Sequence, residues 1–154
     1  AGAETKKITV ANLTGGGAIL KQVVTVVNNA AVLAMKYDDD PITLVAAIGG
    51  KIIVPVSFVL VAVQAGATDT SSGNLNLGWS AADSGAGDNI TAIRDWMYNV
   101  SSGTQSMCLA PNGSHYTTAF PYSAVNEPLQ AWCSDVFNGG WSMTIYTTYH
   151  TITV

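Results

Sequence analysis

The architecture of this chain follows most directly from the stretch Lys51-Ile-Ile-Val-Pro-Val-Ser-Phe-Val-Leu-Val-Ala-Val-Gln64. Valine and other β-branched residues dominate it, and such side chains favour extended backbone. The pattern predicts one long strand over Lys51–Gln64. A tight turn at Gly49-Gly50 precedes it, and a shorter strand is predicted over Ile42–Ala47. Two strands joined through two glycines are typical of a β-hairpin.

Both alternating sets of positions in the long strand are apolar. One set is Ile52, Val54, Val56, Phe58, Leu60 and Ala62, and the other includes Ile53, Val59, Val61 and Val63. A strand with one face in water alternates apolar and polar side chains, so the second face needs a cover. A helix or loop of the same chain could provide it. We expect a neighbouring subunit instead, because the chain has few elements to spare and large apolar patches mark interaction sites. The predicted subunit interface is Ile53, Val59, Val61 and Val63.

Apolar runs separated by clusters of Gly, Ser, Asn and Asp recur along the rest of the chain. Further strands are predicted over Lys7–Asn12, Val23–Val27, Asn74–Trp79, Thr104–Leu109, Ser114–Phe120, Leu129–Trp132 and Trp141–Val154. One or two helical turns are predicted over Ala30–Lys36. Apolar residues at helical spacing predict a helix over Asn89–Val100, although its composition also suits a strand. These elements indicate an all-β antiparallel sandwich or jelly roll with one or two short helical segments, forming a single domain over residues 1–154.

The last predicted strand, Trp141–Val154, has one apolar face and one polar but uncharged face. Trp141, Met143 and Ile145 share the face that we expect in the core. The opposite face carries Thr and Tyr side chains, which suit sheets that contact other proteins, though they also suit water. We expect contact with a partner protein at Tyr146, Thr148 and His150.

The composition excludes two classes of partner. Only 10% of the residues are charged, and six Lys and Arg against ten Asp and Glu give a formal net charge of −4. Binding to nucleic acid needs clustered cations, so no nucleic acid is expected. The longest apolar run, Ile52–Val63, is shorter than the about 20 residues of a membrane-spanning helix. No membrane contact is expected either.

The sequence carries no recognisable motif for catalysis or metal binding. His115 and His150 have no carboxylate or Cys at ligand spacing, and no Gly-x-Ser-x-Gly motif occurs. We therefore expect no catalytic residue, metal or cofactor, and a protein that is not an enzyme. Cys108 and Cys133 are interpreted as two small hydrophobic side chains, with a single disulfide as the alternative. The tryptophans could form a platform for sugar stacking, but packing in the core is their commoner use; they are Trp79, Trp96, Trp132 and Trp141.

Two stretches combine glycine turns with strands in a distinctive order. The first is Pro41-Ile-Thr-Leu-Val-Ala-Ala-Ile-Gly-Gly-Lys-Ile-Ile53, followed by the valine-rich strand and Asn74-Leu-Asn-Leu77. The second is Asn126-Glu-Pro-Leu129, then Asn138-Gly-Gly-Trp-Ser142, then a strand that ends near Tyr149. Together they cover under half of the chain. Both resemble small virion proteins of tailed bacteriophages.

The resemblance implies a jelly-roll subunit that decorates or cements a phage capsid, often as a trimer, or that forms a head-fibre or tail-fibre module. It implies a non-enzymatic structural protein on the exterior of the capsid. The implied partners are copies of the chain itself, as a homotrimer, and the major capsid protein. The alternative is a receptor- or glycan-binding module at a tail or fibre tip. No catalytic residues are carried over from the family.

Overall fold

The computed structural model describes residues 19–37, 39–79, 89–111 and 124–154. Its elements are β1 (Lys21–Val27), α1 (Asn29–Ala34), β2 (Ile42–Val45), β3 (Lys51–Gln64), β4 (Leu75–Trp79), β5 (Asn89–Ile93), β6 (Gly103–Leu109), β7 (Leu129–Cys133) and β8 (Trp141–Thr153). The strands predicted over Lys7–Asn12 and Ser114–Phe120 lie outside the described residues. Within the described ranges, no helix has the length and apolar character needed to cross a membrane.

The strands form two four-stranded antiparallel sheets. The sheet that contains the two longest strands, called the long sheet below, has the order β1-β8-β3-β6, and the short sheet has the order β2-β7-β4-β5. Every connection except β4 to β5 therefore passes from one sheet to the other. This is the pairing scheme of an eight-stranded jelly roll. The predicted all-β antiparallel sandwich is confirmed.

The turn at Gly49-Gly50 is present, but the predicted hairpin is wrong. Gly50 has φ +67°, a conformation that glycine adopts at no steric cost. β2 pairs with β7, however, while β3 pairs with β6 and β8. The turn thus carries the chain between the sheets, and Asn126 holds it by accepting a hydrogen bond from the Gly50 amide at 2.6 Å. Apolar patterning identifies strands but does not say which strands pair.

The helix predicted over Asn89–Val100 is wrong. The first five residues form β5, which pairs with β4, and the chain then turns. Asp95 and Met97 have positive φ values of 51° and 64°, which interrupt any helix. The β-branched side chains Ile90 and Thr91 favour a strand, and cross-strand pairing with β4 outweighs the helical spacing.

The short helix predicted near residue 30 is confirmed as α1. Asn28 caps it, since its Oδ1 accepts a hydrogen bond from the Ala31 amide at 2.9 Å. The helix buries Val32. Asn29 also donates its side-chain amide to the carbonyl oxygens of Gly139 and Trp141, at 2.8 and 2.9 Å. These bonds connect the helix to the beginning of β8.

A β-bulge in β3 changes which side chains face the core. Pro55 lies opposite Tyr149 and Ser57 lies opposite Thr148, so that Val56 is an extra residue without a partner of its own. Before the bulge the odd-numbered residues of β3 face the core, and after it the even-numbered ones do. The core side chains of β3 are Ile53, Phe58, Leu60 and Ala62, all fully buried. The bulge explains much of the apolar character at both sets of positions.

A loop of the same chain covers part of the second face of β3. Ile52 is buried and forms an isolated antiparallel bridge with Val125. Val125 packs against the core cluster. A loop of the same chain therefore covers the start of β3, as the alternative prediction stated. After the bulge, the outward side chains of β3 are more exposed.

Candidate functional site: an uncharged sheet face

The outward side of the long sheet is the candidate site. Directly opposite residues of an antiparallel pair place their side chains on the same side, so the register defines the members. They are Gln22, Val24 and Val26 of β1, Ser142, Thr144, Tyr146, Thr148 and His150 of β8, Val54, Ser57, Val59, Val61 and Val63 of β3, and Thr104, Ser106 and Cys108 of β6. This surface is called the outer face below.

The two groups of residues predicted to make contacts lie together on the outer face. Val59, from the predicted subunit interface, is directly opposite Tyr146, from the predicted partner contact. Thr148 lies opposite Ser57 in the next row, and His150 lies opposite Val54 beyond the bulge. The sequence separates the two groups by more than eighty residues, so only the strand register shows that they form one surface.

Ile53 does not belong to this surface, and its assignment to the interface is wrong. The residue is fully buried in the core, and its carbonyl oxygen accepts a hydrogen bond from Trp79 Nε1 at 2.8 Å. The physical reason is the bulge at Val56, which reverses the facing of all residues before it. Strict two-residue alternation along the sequence predicts that Ile53 and Val59 face the same side. That prediction takes no account of the extra residue at Val56.

The outer face exposes apolar side chains without charges. Val24, Val26, Val63 and Tyr146 are 51%, 76%, 43% and 37% exposed. Lys21 and Lys51, each the first residue of its strand, are the only Lys, Arg, Asp or Glu residues in the four strands of the long sheet. Most of the remaining members offer hydroxyl or amide groups, and the others are Val54, Val59, Val61, the Cys108 thiol and the His150 imidazole. Such a surface can bind another protein through apolar burial and neutral hydrogen bonds.

A buried carboxylate, Asp69, connects the loops beside β8, and sequence reasoning did not single it out. Its Oδ1 accepts hydrogen bonds from the amide and hydroxyl of Ser71, at 2.9 and 2.5 Å. Its Oδ2 accepts from the Gly139 amide at 3.1 Å and from Trp141 Nε1 at 2.7 Å. Both carboxylate oxygens thus accept hydrogen bonds from groups of the surrounding loops. This arrangement fits a role in holding the loops together better than a role in proton transfer. A single Asp in a polar loop gives no sequence signal for this role.

The other candidate chemical groups are dispersed. In the described ranges no group of three or more His, Cys, Asp or Glu side chains is placed to hold a metal ion. Cys108 is exposed and Cys133 is buried, and both are free thiols, so the alternative of a disulfide is wrong. His150 lies on the outer face with a buried Nδ1 that has no hydrogen-bond partner. His115 lies outside the described residues.

The tryptophans are not arranged as a platform for sugars. All are buried, as the packing interpretation expects; they are Trp79, Trp96, Trp132 and Trp141. The Trp141 ring packs edge-on against Phe137, with 4.9 Å between the ring centroids. Stacking on a sugar needs an accessible aromatic face, which these side chains do not offer.

A scan against models of known protein families finds no match. A search of curated proteins likewise finds no match. A function is therefore inferred from the fold, the outer face and the sequence patterns described above.

Proposed function

We propose that this chain is a non-enzymatic structural protein of a tailed bacteriophage, a decoration or cement subunit on the exterior of the capsid. It self-associates as a homotrimer and binds the major capsid protein. The observation that carries the proposal is the outer face, a four-stranded surface with exposed valines and no charged side chain. The jelly-roll pairing scheme, common in viral capsid proteins, and the two phage-like stretches of sequence support it.

The size of the outer face suggests how strongly one subunit binds. Four strands about 4.8 Å apart and seven residues of about 3.4 Å each span roughly 450 Å² of flat surface. Each partner in a typical stable complex buries about 800 Å². One outer face is therefore too small for tight binding alone. Several linked copies provide the missing affinity, because each further subunit binds at the effective concentration set by the first.

The absence of charged side chains on the outer face sets the mechanism of binding. Apolar burial contributes about 25 cal/mol per Å², and this contribution depends only weakly on moderate salt. Contacts between exposed charges weaken as the screening length shortens. Decoration through the outer face should therefore persist at salt concentrations that release proteins bound by charge.

The proposal is tested by adding the purified protein to capsids that lack it. We expect bound copies, counted after sedimentation, to change little between roughly 50 and 500 mM salt, and we expect decorated capsids to rupture at a higher temperature than bare ones. Thr144→Lys puts a charge in the middle of the outer face and should remove most of the binding. Thr43→Lys, at an exposed position of the short sheet, is the matched control and should bind normally.

The possible failures have different meanings. No binding at any salt would exclude the decoration role. Steep loss of binding with salt would refute the uncharged mechanism and leave the role itself intact. Equal binding by the Thr144→Lys and Thr43→Lys variants would show that another surface contacts the capsid.

A further inference from the structure

The edge strands of the short sheet carry features that discourage pairing with another chain. β2 has only four residues, begins directly after Pro41, and has an irregular register between Thr43 and Val45. β5 has five residues, and its register shifts opposite Leu77 and Gly78. Short length, proline and bulges are the usual means by which proteins protect an open sheet edge.

The edge strands of the long sheet have almost none of these features. β1 and β6 each have seven residues and an unbroken register with their single neighbour. Neither contains proline, and Lys21 is the only charged residue in the two strands together. Most of their residues are exposed. Among the described strands, β1 pairs only with β8 and β6 pairs only with β3.

We propose that β1 of one copy pairs with β6 of the next copy, so that the long sheets of several copies join into one closed ring. This inference depends on the self-association that forms part of the proposed function, and it names the elements that carry it. The strand directions match. Adjacent strands of the long sheet are antiparallel throughout, so a β6 placed beside β1 as a continuation of the sheet runs antiparallel to it. The two strands also have equal length.

Pairing between unlike edges is preferred because it leaves no edge open. A symmetric contact of β6 with β6 would give a dimer with two exposed β1 edges, and adding β1 to β1 contacts would give open fibres. A head-to-tail contact closes into a ring if the rotation allows it, and closure removes the edges that template aggregation. Closure at three copies gives the homotrimer of the proposed function.

Edge pairing also separates self-association from partner binding, whose predicted residues lie together on the outer face. The ladder between β1 and β6 uses backbone amide and carbonyl groups at the sheet edges. The middle of the outer face, on β3 and β8, stays free. Each copy in the ring therefore keeps its own outer face for a partner, repeated around the symmetry axis.

Proline variants test the contact. Alternate residues of an edge strand direct their amide toward the neighbouring strand and toward the open side, and proline removes only its own amide. Gln105→Pro and Ser106→Pro change neighbouring residues of β6, so one of the two removes an amide that points to the open side of the strand. That variant keeps the hydrogen bonds between β6 and β3. Val24→Pro and Thr25→Pro form the equivalent pair in β1. Circular dichroism and thermal unfolding identify the folded member of each pair.

The decisive measurement is the mass of each folded variant, and of their mixture, by light scattering. We expect a small closed oligomer for the unmodified chain and a monomer for each variant. Mixing a β1 variant with a β6 variant should give a 1:1 dimer and nothing larger, because each still has one intact edge. Ser106→Lys and Val26→Lys, which add a charge to each edge without changing the backbone, should behave the same way.

Other results would overturn the inference. A β1 variant that still dimerises alone, beside a monomeric β6 variant, would indicate pairing of β6 with β6. Oligomers of unchanged size in both variants would place self-association on another surface. A monomeric unmodified chain would refute the ring. Capsid binding by the unmodified chain is measured separately, so a failure of the ring is distinguishable from a failure of the decoration role.

Discussion

At the scale of single residues, Asp69 has the most consequential environment in the described chain. It is fully buried, and its backbone oxygen accepts a hydrogen bond from the Asn99 amide at 2.8 Å in addition to the four bonds to its carboxylate. It thus joins the loop after β3 to the loops after β5 and β7. Gly139 must be glycine here, because a Cβ would lie 2.5 Å from Asp69 Cβ. Asp69 thus adds hydrogen bonds to loops that also contribute Met97 and Phe137 to the core.

We expect Asp69→Ala to destabilise the fold by about 3–5 kcal/mol, because the Gly139 amide and Trp141 Nε1 would remain buried without an acceptor at about 1–3 kcal/mol each. Asp69→Asn should also be destabilising, since its amide group would face hydrogen-bond donors. Asp40→Ala, at an exposed carboxylate, is the matched control and should stay within about 0.5 kcal/mol of the unmodified chain. Urea unfolding measures all three. A similar midpoint for the Asp69 and Asp40 variants would contradict the role assigned to Asp69.

The two cysteines should differ in reactivity. Burial raises the pKa of the Cys133 thiol from its usual 9.0 to about 11, whereas Cys108 is exposed. The thiolate is the reactive form, so a thiol reagent at pH 8 should label Cys108 in the folded protein and Cys133 only after unfolding. The Cys108→Ser variant should show no reactive thiol while folded. Rapid labelling of that variant would indicate that the core opens readily.

The raised pKa of Cys133 also predicts a pH dependence of stability. Below pH 9 the thiol is protonated in both states, and its contribution to stability is fully present. Between pH 9 and 11 the unfolded chain loses the proton first, so the free energy of unfolding should fall by up to about 3 kcal/mol, at 1.36 kcal/mol per pKa unit. Cys133→Ala should lack this decrease. Parallel slopes for the two proteins over this range would rule the explanation out.

At the scale of elements, the bulge in β3 has the largest effect, because it assigns Ile53 and Val59 to opposite sides of the sheet. We expect Ile53→Ala to destabilise the protein by about 2–5 kcal/mol through the cavity left in the core. Val59→Ala should cost much less, since the side chain lies on the outer face. Thermal unfolding of the two variants at equal concentration makes the comparison. Equal losses would show that the two residues share one environment.

The sequence predicted elements better than their pairing. β-branched residues fixed the bounds of β3, and the helix α1 was found from its helix-forming residues. The prediction of a helix over Asn89–Val100 is wrong because helical spacing contains no information about β4, with which the first part of this segment pairs. The hairpin at Gly49-Gly50 failed for a related reason: a glycine turn has the same local chemistry whether it joins strands of one sheet or of two. Pairing depends on contacts between distant segments, and local patterns do not contain them.

At the scale of the whole molecule, the candidate site was predicted in parts but not as a unit. Val59, Val61 and Val63 were identified from one strand, and Tyr146, Thr148 and His150 from another. These residues lie together on the outer face only because β3 pairs with β8. Ile53 was misplaced, and the edges of the long sheet gave no signal, because an edge is defined only once the strand order is known. The sequence could supply the chemistry of the surface but not its extent.

The position of β8 in the long sheet also has a consequence for how the protein is made. β8 follows every other described strand in the sequence, yet it lies between β1 and β3 and provides the ladder to both. During synthesis, β1 and β3 emerge from the ribosome long before the strand that separates them. The long sheet therefore cannot close until β8 has been synthesised, and its valine-rich strands spend that interval without their partner. Such long-range pairing is slow and exposes nascent chains to aggregation, so co-translational exposure of β1 and β3 follows directly from the strand order.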